Sequence, residues 1–340
     1  MRYCGVTLFV FFLATFSRSA STEVAHTNLV KQIERIIIQE NARSGFNGAV
    51  AIKLWDTGIF SYEIGYQQKG RPLTPSHLFS SGSVGKEFTT VAILKLARQG
   101  KLNLNDPVID YLPNLPQWAK RITIHHLLSH TSGLPKIKWA TNISTADVMS
   151  QILAFSKLEF EPGSQYLYGN INVMLRAKIV EKVTGMPFGQ FLKTNFFAPF
   201  EMVNTVQIDS VDDKVDKVIG DFPTAINGVT IYTTPADLIR WEVALLNGEA
   251  LAGSTLLSIL SHHPLSDKHL DSEYDFGRFT LNDGTVATLE HDGSNPSHHV
   301  LKYSHIASQF TFVAMSSDGN KQNLYTLRDK IQTLVNSVHR

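Results

Sequence analysis

Segments typical of β-strands lie at both ends of this 340-residue chain, and segments typical of helices fill the middle. Near the start, the apolar pattern predicts a helix over residues 28–43 and then a hairpin of strands 48–55 and 59–66 that turns at residues 56–58. Strand patterns return only at 276–281, 286–289, 298–303 and 309–315. The two sets are predicted to form one antiparallel sheet built from both ends of the chain, with the helical segments inserted between them. The order therefore predicts an α+β fold.

The middle of the chain and its last segment carry the helical 3.6-residue period. The predicted helices are 84–99, 124–128, 145–155, 172–183, 188–195 and 324–338. We predict a sheet domain made of residues 21–79 and 225–340, flanked by helices from both termini. A mainly helical domain of residues 80–224 is inserted into it, and the active site is expected between the two domains.

The charge balance excludes several classes of protein. The chain has 31 Lys and Arg residues, 30 Asp and Glu residues, and 43% hydrophobic residues. A disordered chain would be less apolar, and a nucleic-acid-binding protein would carry a basic excess. The composition therefore predicts a globular protein that binds no nucleic acid.

The first twenty residues have the pattern of an export signal. Arg2 precedes a mostly apolar run over residues 5–16, and cleavage is expected after Ala20. The run is short for a membrane span, although an uncleaved N-terminal anchor remains the alternative. Because Cys4 is the only cysteine, the mature chain would have neither a disulfide nor a cysteine nucleophile. We expect a periplasmic or secreted protein with no integral membrane association after cleavage.

The most suggestive chemical pattern is Ser83-Val84-Gly85-Lys86, at the start of the helix predicted over 84–99. Residues three apart share a helix face, so Ser83 and Lys86 can touch, and burial would favour a neutral amine that accepts the serine proton. The alternative is that Ser83 only caps the helix. Against that, Gly85 costs about 1 kcal/mol relative to alanine, and a lysine in the first turn opposes the helix dipole.

Particular residues exclude other catalytic motifs at this position and elsewhere in the chain. A phosphate-binding P-loop would need glycine at Ser80 and a hydroxyl residue at Glu87, and an α/β-hydrolase nucleophile elbow would need glycine at Ser81. His126 and His130 are spaced like metal ligands, but no glutamate follows His126 to complete the zinc-protease pattern. We therefore expect no metal and no cofactor.

Several segments, in the same order, resemble serine β-lactamases of class C and the related DD-peptidases. The segments that carry the resemblance are residues 79–86 around Ser83, Tyr168-Gly169-Asn170 as a Tyr-x-Asn motif, His291-Asp292-Gly293 as a third motif, and residues 122–135, 179–188 and 233–238. Each short motif is weak alone, but the ordered set spans nearly the whole mature chain. The resemblance implies a β-lactamase/transpeptidase-like fold and a penicillin-recognising serine hydrolase.

The resemblance also implies roles for the first two motifs. Ser83 would attack a carbonyl, Lys86 would share or accept its proton, and Tyr168 would relay a proton to the leaving group. Asn170 would orient Lys86 and the substrate amide. The residues themselves leave other roles open, because Tyr168 could be a core aromatic and Asn170 a helix cap.

The third motif bears on the oxyanion hole and the substrate. By resemblance, the backbone N–H groups of Ser83 and Ser294 would form the hole, with Gly293 giving room for close approach. Residues 291–293 could also be only a turn that ends a strand. The resemblance also implies that His291 and Gly293 bind substrate. Where β-lactamases of this family usually have Lys-Thr-Gly, this chain has His291 beside Asp292, and this pair suits a substrate carboxylate less well than lysine does.

The leading interpretation is thus an exported serine acyl-hydrolase for D-amino-acid peptides or related amides and esters, which works through an acyl-enzyme. A true class C-type β-lactamase is second, and a non-catalytic peptide-binding protein of the same fold is third. In each case the partner is a small peptide, amide or ester. Residues 136–141 and 209–222 are expected to form walls of the pocket.

Overall fold

The computed structural model describes residues 20–54, 57–210, 212–222, 224–251, 256–260, 262–263 and 270–338. Residues 1–19 of the predicted signal segment lie outside this range, and so do Trp55 and Asp56 of the predicted hairpin. Ala20, the expected cleavage position, is the first residue of a helix. None of the helices within the described ranges combines the length and the apolar character that a membrane span needs.

Each predicted helix is present, in the predicted order, and two further helices over residues 108–111 and 235–246 were not predicted. The helices are α1 (Ala20–Ser44), α2 (Lys86–Arg98), α3 (Val108–Tyr111), α4 (Ile124–Leu128), α5 (Thr145–Leu153), α6 (Asn170–Thr184), α7 (Phe188–Leu192), α8 (Pro235–Leu246) and α9 (Gln322–Val338). Short 3₁₀ turns occur at Gly82–Gly85, Gln117–Arg121 and Leu256–Ser258, and a π-helical turn occurs at Lys193–Phe197. The helix predicted from residue 84 therefore begins as a 3₁₀ turn and becomes α-helical at Lys86.

The strands also appear where the alternating pattern predicted them, together with shorter ones. They are β1 (Gly48–Leu54), β2 (Phe60–Ile64), β3 (Tyr66–Gln68), β4 (Arg71–Pro72), β5 (Phe79–Ser80), β6 (Val206–Gln207), β7 (Ile231–Thr233), β8 (His262–His263), β9 (Leu270–Ser272), β10 (Arg278–Asn282), β11 (Thr285–Ser294), β12 (His299–His305) and β13 (Phe310–Ser316).

One antiparallel sheet joins the two ends of the chain, as predicted. Its strand order among the described residues is β2-β1-β13-β12-β11-β10-β9-β8, so β1 pairs directly with β13. Alternation along β1 sends its side chains to two different layers. Val50 and Ile52 lie in a core with α1 and α9, whereas Ala49 and Ala51 belong to the core that includes α2, α6 and α8.

The sheet thus has helices on both faces, which is the expected α+β arrangement. The helical region packs on the face opposite to α1 and α9. A second small sheet, β5-β7-β6, fixes the segment just before the 3₁₀ turn, because Phe79 pairs with Thr233 and Ser80 with Tyr232. The division into a sheet domain of residues 21–79 and 225–340 and a helical domain of residues 80–224 stays a prediction.

Candidate active site

Ser83 lies in the 3₁₀ turn at the start of α2, and two side chains reach its hydroxyl. Lys86 Nζ donates a hydrogen bond to Ser83 Oγ at 3.2 Å, and Tyr168 OH donates one at 2.9 Å. Lys86 is 4% exposed, and its Nζ atom lies 5.1 Å from the centre of the Tyr168 ring. Ser83 does not cap α2, because the residue at that N-cap is Gly85. The serine oxygen is therefore held between two groups that can exchange a proton with it.

Gly85 lies at the N-cap of α2 and not in the helix interior, where glycine would be costly, and its missing side chain also has a steric reason. A Cβ atom at this position would collide with Ser81 Oγ. Ser81 is fully buried, and its hydroxyl has no hydrogen-bond partner among the described residues. The glycine allows the turn that carries Ser83 to pack tightly on the strand before it.

Tyr168 and Asn170 come from the start of α6. Tyr168 is 40% exposed, so it is not a core aromatic. Asn170 is the first residue of α6 and Gly169 is its N-cap, so Asn170 is not a helix cap. The Asn170 Oδ1 atom is buried, and no described residue donates a hydrogen bond to it. An unpaired buried acceptor is costly in a native protein, so this oxygen is available for a donor on a bound substrate.

The backbone of Ser83 lies against that of Ser294, the last residue of β11. A Cβ atom on Gly293 would collide with the Ser83 backbone nitrogen, and one on Gly82 would come within 2.8 Å of the Ser294 nitrogen. Gly82 also has a φ of +51°, which favours glycine. The two glycines thus bring together the amides of Ser83 and Ser294. Residues 291–293 lie within β11 and are not a turn.

His291 does not line the cleft that contains Ser83. Its Nδ1 atom lies 2.5 Å from Glu87 Oε1, and the residue is 8% exposed. Its neighbour Asp292 pairs with Arg278 at 3.0 Å and also with Lys321. In this structure His291 is a partner of a buried glutamate, and no contact joins it to Ser83, Lys86 or Tyr168.

Glu87 belongs to a buried group of charges directly beneath the helix that carries Lys86. Its Oε2 atom accepts hydrogen bonds from Lys302 Nζ and from Trp241 Nε1, both at 2.8 Å, and Lys302 also pairs with Glu242. Burial alone would raise the pKa of Glu87, but Lys302 and His291 lower it overall. The pKa of Lys302 would be lowered by burial, but Glu242 and Glu87 raise it. The lysine therefore stays charged and pairs with both carboxylates.

A second buried network holds the segment that carries Tyr168. His130 Nδ1 accepts hydrogen bonds from the Gly169 N–H at 3.3 Å and from Asn172 Nδ2 at 3.0 Å. Its Nε2 atom lies 2.9 Å from Asp275 Oδ1, and its ring centre is 4.7 Å from that of Tyr168. Burial lowers the pKa of His130 despite Asp275, so the ring is neutral at pH 7 and Nδ1 remains an acceptor.

Sequence reasoning weighed this histidine only as a metal ligand. His126, its supposed partner, instead closes the N-terminus of α4 by contacts with Thr123. Asp275 and Arg176, which complete the network around His130, carry no sequence signal, because they come from distant segments.

The cleft around Ser83 has a volume of about 660 Å³. Its walls include Trp139–Thr141 from the first segment that was expected to form a wall, and Asp221 with Phe222 from the second. The remaining lining residues are Gly82, Ser83, Lys86, Tyr168, Asn170, Thr224, Val229, Thr230, Ser294, Asn295 and Pro296. The structure therefore places Ser83, Lys86, Tyr168, Asn170 and Ser294 on one cleft, which Gly293 adjoins and His291 does not reach.

The Beta-lactamase family profile matches residues 33–321, which is most of the chain. The chain belongs to this family. Its members are penicillin-recognising serine hydrolases, and the chain is a serine hydrolase of that kind.

Individual relatives agree with the family assignment. The chain is 25% identical over 331 residues to Penicillin-binding protein 4* of Bacillus subtilis, covering 85% of this chain and 72% of that protein. A penicillin-binding protein structure from Bacillus halodurans superposes with a TM-score of 0.76 at 21% identity, covering 89% of this chain and 98% of that one. The D-amino acid amidase of Ochrobactrum anthropi superposes with a TM-score of 0.74 at 21% identity, covering 92% and 98%. At such identities these structures establish the fold.

Proposed function

We propose that this protein is an exported serine acyl-hydrolase that acts on D-amino-acid peptides or related amides and esters through an acyl-enzyme. The observation that carries the proposal is the contact of Ser83 Oγ with both Lys86 Nζ and Tyr168 OH on an open cleft. A serine is a weak nucleophile unless a base is within hydrogen-bond distance, and here two proton-transfer groups are.

In the proposed first step, Ser83 Oγ forms a bond to the substrate carbonyl carbon and its proton passes to Lys86 or Tyr168. The tetrahedral intermediate carries a negative oxygen, which the N–H groups of Ser83 and Ser294 would stabilise. When the intermediate collapses, the bond to the leaving amine or alcohol breaks, and Tyr168 supplies the proton that this group takes. Asn170 Oδ1 would accept a hydrogen bond from the substrate amide.

In the second step, water replaces the leaving group. Tyr168 or Lys86 would take a proton from the water, the hydroxyl oxygen would attack the acyl carbon, and the bond to Ser83 Oγ would break as the serine regains its proton. Water is the only co-reactant, and the products are the acid and the leaving amine or alcohol. His291 would act at a distance from the substrate, by pairing with Glu87 below α2.

The proposed substrate is small, because the cleft of about 660 Å³ has the volume of a small-molecule site. A D-amino acid amidase is among the proteins that share the fold, and it favours amides of amino acids as candidates. Export is supported by the N-terminal pattern of the first twenty residues.

Intact mass spectrometry tests the proposal. The full chain is incubated with a fluorophosphonate and, separately, with a penicillin, and Ser83→Ala is compared with the matched variant Ser81→Ala, which removes a buried neighbouring hydroxyl. We expect one phosphonyl adduct in wild type and in Ser81→Ala and none in Ser83→Ala.

The penicillin separates the remaining interpretations. A persistent adduct fits a peptidase-like or amidase-like enzyme, and rapid turnover fits a β-lactamase. A folded protein that gives no adduct with either reagent but still binds peptide would be a binding protein, and the proposed activity would be wrong.

A further inference from the structure

The charges on the cleft point to a particular class of substrate. Among its described lining residues, the only Lys, Arg, Asp or Glu side chains are those of Lys86 and Asp221. Lys86 is committed to Ser83 and to the face of the Tyr168 ring. The cleft therefore offers no spare cation for a substrate carboxylate, and it offers one carboxylate to a substrate cation.

Asp221 is held in place beside the end of β11. The preceding residue, Gly220, fits closely against Ser297, whose hydroxyl donates a hydrogen bond to the Gly220 carbonyl at 2.5 Å. One residue earlier, the Ile219 carbonyl lies 3.0 Å from His298 Nε2. Ser297 and His298 lie three and four residues after Ser294, the last residue of β11. The loop that carries Asp221 is thus fixed to the strand end that would bind the oxyanion.

One neighbouring side chain orients the Asp221 carboxylate through one oxygen, which leaves the other oxygen available to a substrate. Tyr232 OH donates a hydrogen bond to Asp221 Oδ2 at 2.6 Å, and Lys217 Nζ donates to the same phenol oxygen from 3.1 Å. Burial and Asp221 raise the pKa of Tyr232, so its hydroxyl keeps its proton and remains a donor. Within the described part of the chain, Oδ1 of Asp221 has no hydrogen bond or ion pair.

Apolar side chains line the same cleft as this carboxylate. Phe222 is 43% exposed and Trp139 is 54% exposed, and both line the cleft. Exposed aromatic side chains of this size are favourable binding surfaces for apolar groups and, through their ring faces, for cations. The charge and the aromatic walls together fit an amine attached to an apolar group.

We propose that Asp221 selects substrates that carry a protonated amine beside an apolar side chain, such as esters or amides of amino acids with a free α-amino group. This inference rests on the proposed function, because it concerns the same cleft and the same acyl transfer. It also predicts that substrates bearing a carboxylate in that position bind poorly.

The test compares an ester that has a protonated amine with its neutral N-acetyl derivative, and the pH dependence of the free amine separates the effect of charge from that of the added acetyl group. D-Phenylalanine methyl ester and its N-acetyl derivative are assayed at pH 6 with wild type, with Asp221→Asn and with Asp212→Asn, a matched acid on the same loop that is absent from the cleft lining. Asparagine can still accept the hydrogen bond from Tyr232, so the loop keeps its anchor. Fluorophosphonate labelling of each variant reports whether Ser83 is functional.

We expect wild type and Asp212→Asn to favour the free amine by about tenfold or more in kcat/KM, the size typical of a hydrogen bond between charged groups. In Asp221→Asn the ratio should fall to near one. In wild type the preference should disappear as the pH rises above the pKa of the substrate amine, which would not happen if Asp221 were only structural.

Two kinds of failure are distinguishable. If Ser83 is labelled but wild type treats both esters alike, or if Asp221→Asn keeps the preference, the selection by Asp221 is wrong and the acyl-hydrolase remains. If there is neither labelling nor hydrolysis of either ester, the proposed function fails and this inference fails with it.

Discussion

The replacement Asp275→Asn tests the buried network that supports the segment carrying Tyr168. Asp275 lies between β9 and β10, and its two carboxylate oxygens contact His130 and the fully buried guanidinium of Arg176. Asparagine has nearly the same shape but no charge. The variant would leave Arg176 buried without a counter-ion, because no other described acid pairs with it.

The expected loss follows from that uncompensated charge. Removing one partner of a buried ion pair costs about 3–5 kcal/mol of unfolding free energy. The entropy of unfolding is about 2.1 cal/mol/K per residue, or about 0.7 kcal/mol/K for a chain of this size, so Tm should fall by about 4–7 °C.

The pH dependence gives a second signature. Burial would raise the pKa of Asp275, but His130 and Arg176 lower it far below its ordinary value of 3.8. A lowered folded-state pKa stabilises the protein above pH 3.8, and that stabilisation is lost as the pH falls below it. Because only the first part of that stabilisation is lost by pH 3, Asp275→Asn should lose about 1 kcal/mol more stability at pH 7 than at pH 3.

Denaturant unfolding at the two pH values measures both effects. Asp283→Asn, at an exposed hairpin position, is the control and should change stability by no more than about 0.5 kcal/mol. The double variant Asp275→Asn with Arg176→Met should recover part of the loss, because the orphaned charge is gone. A loss below about 1 kcal/mol for Asp275→Asn at pH 7 would refute the reasoning.

Three further outcomes are expected. Burial lowers the pKa of His130 below 6.5, so the neutral ring stabilises the folded protein above pH 6.5 and this stabilisation decreases at lower pH. Between pH 8 and pH 5, the Tm of His130→Gln should therefore fall less steeply than that of wild type. Equal falls in Tm for the two proteins would contradict this. Gly293→Ala would push a methyl group into the Ser83 amide and should slow phosphonylation by about 100-fold or more, whereas an unchanged rate would argue against the oxyanion role. Lys302→Met removes the cation shared by Glu87 and Glu242 and should cost about 3–5 kcal/mol in denaturant unfolding, whereas a neutral effect would contradict the role of this lysine as their counter-ion.

The predicted site illustrates where sequence reasoning works. Ser83 and Lys86 are three residues apart on one turn, so their contact follows from local geometry alone, and the structure has it. The contact of Tyr168 with Ser83 joins residues 85 positions apart. The resemblance to a known family implied it, but no spacing rule could. His291 was expected to bind substrate for the same reason, yet its contact with Glu87 depends on how β11 packs over α2.

The sequence by itself determined the order of most helices and of the long strands, the sheet built from both ends, and the position of the reactive turn, because these follow from apolar periodicity and from neighbours along the chain; α8 and the short strands of the second sheet were not predicted. Only the tertiary structure decided which charges face the cleft and which are buried beneath it. Asp221, Asp275, Glu87 and Lys302 look alike in sequence as polar residues among apolar ones. Their partners lie on other elements, and a charge acquires its role from the burial and counter-charges that packing gives it.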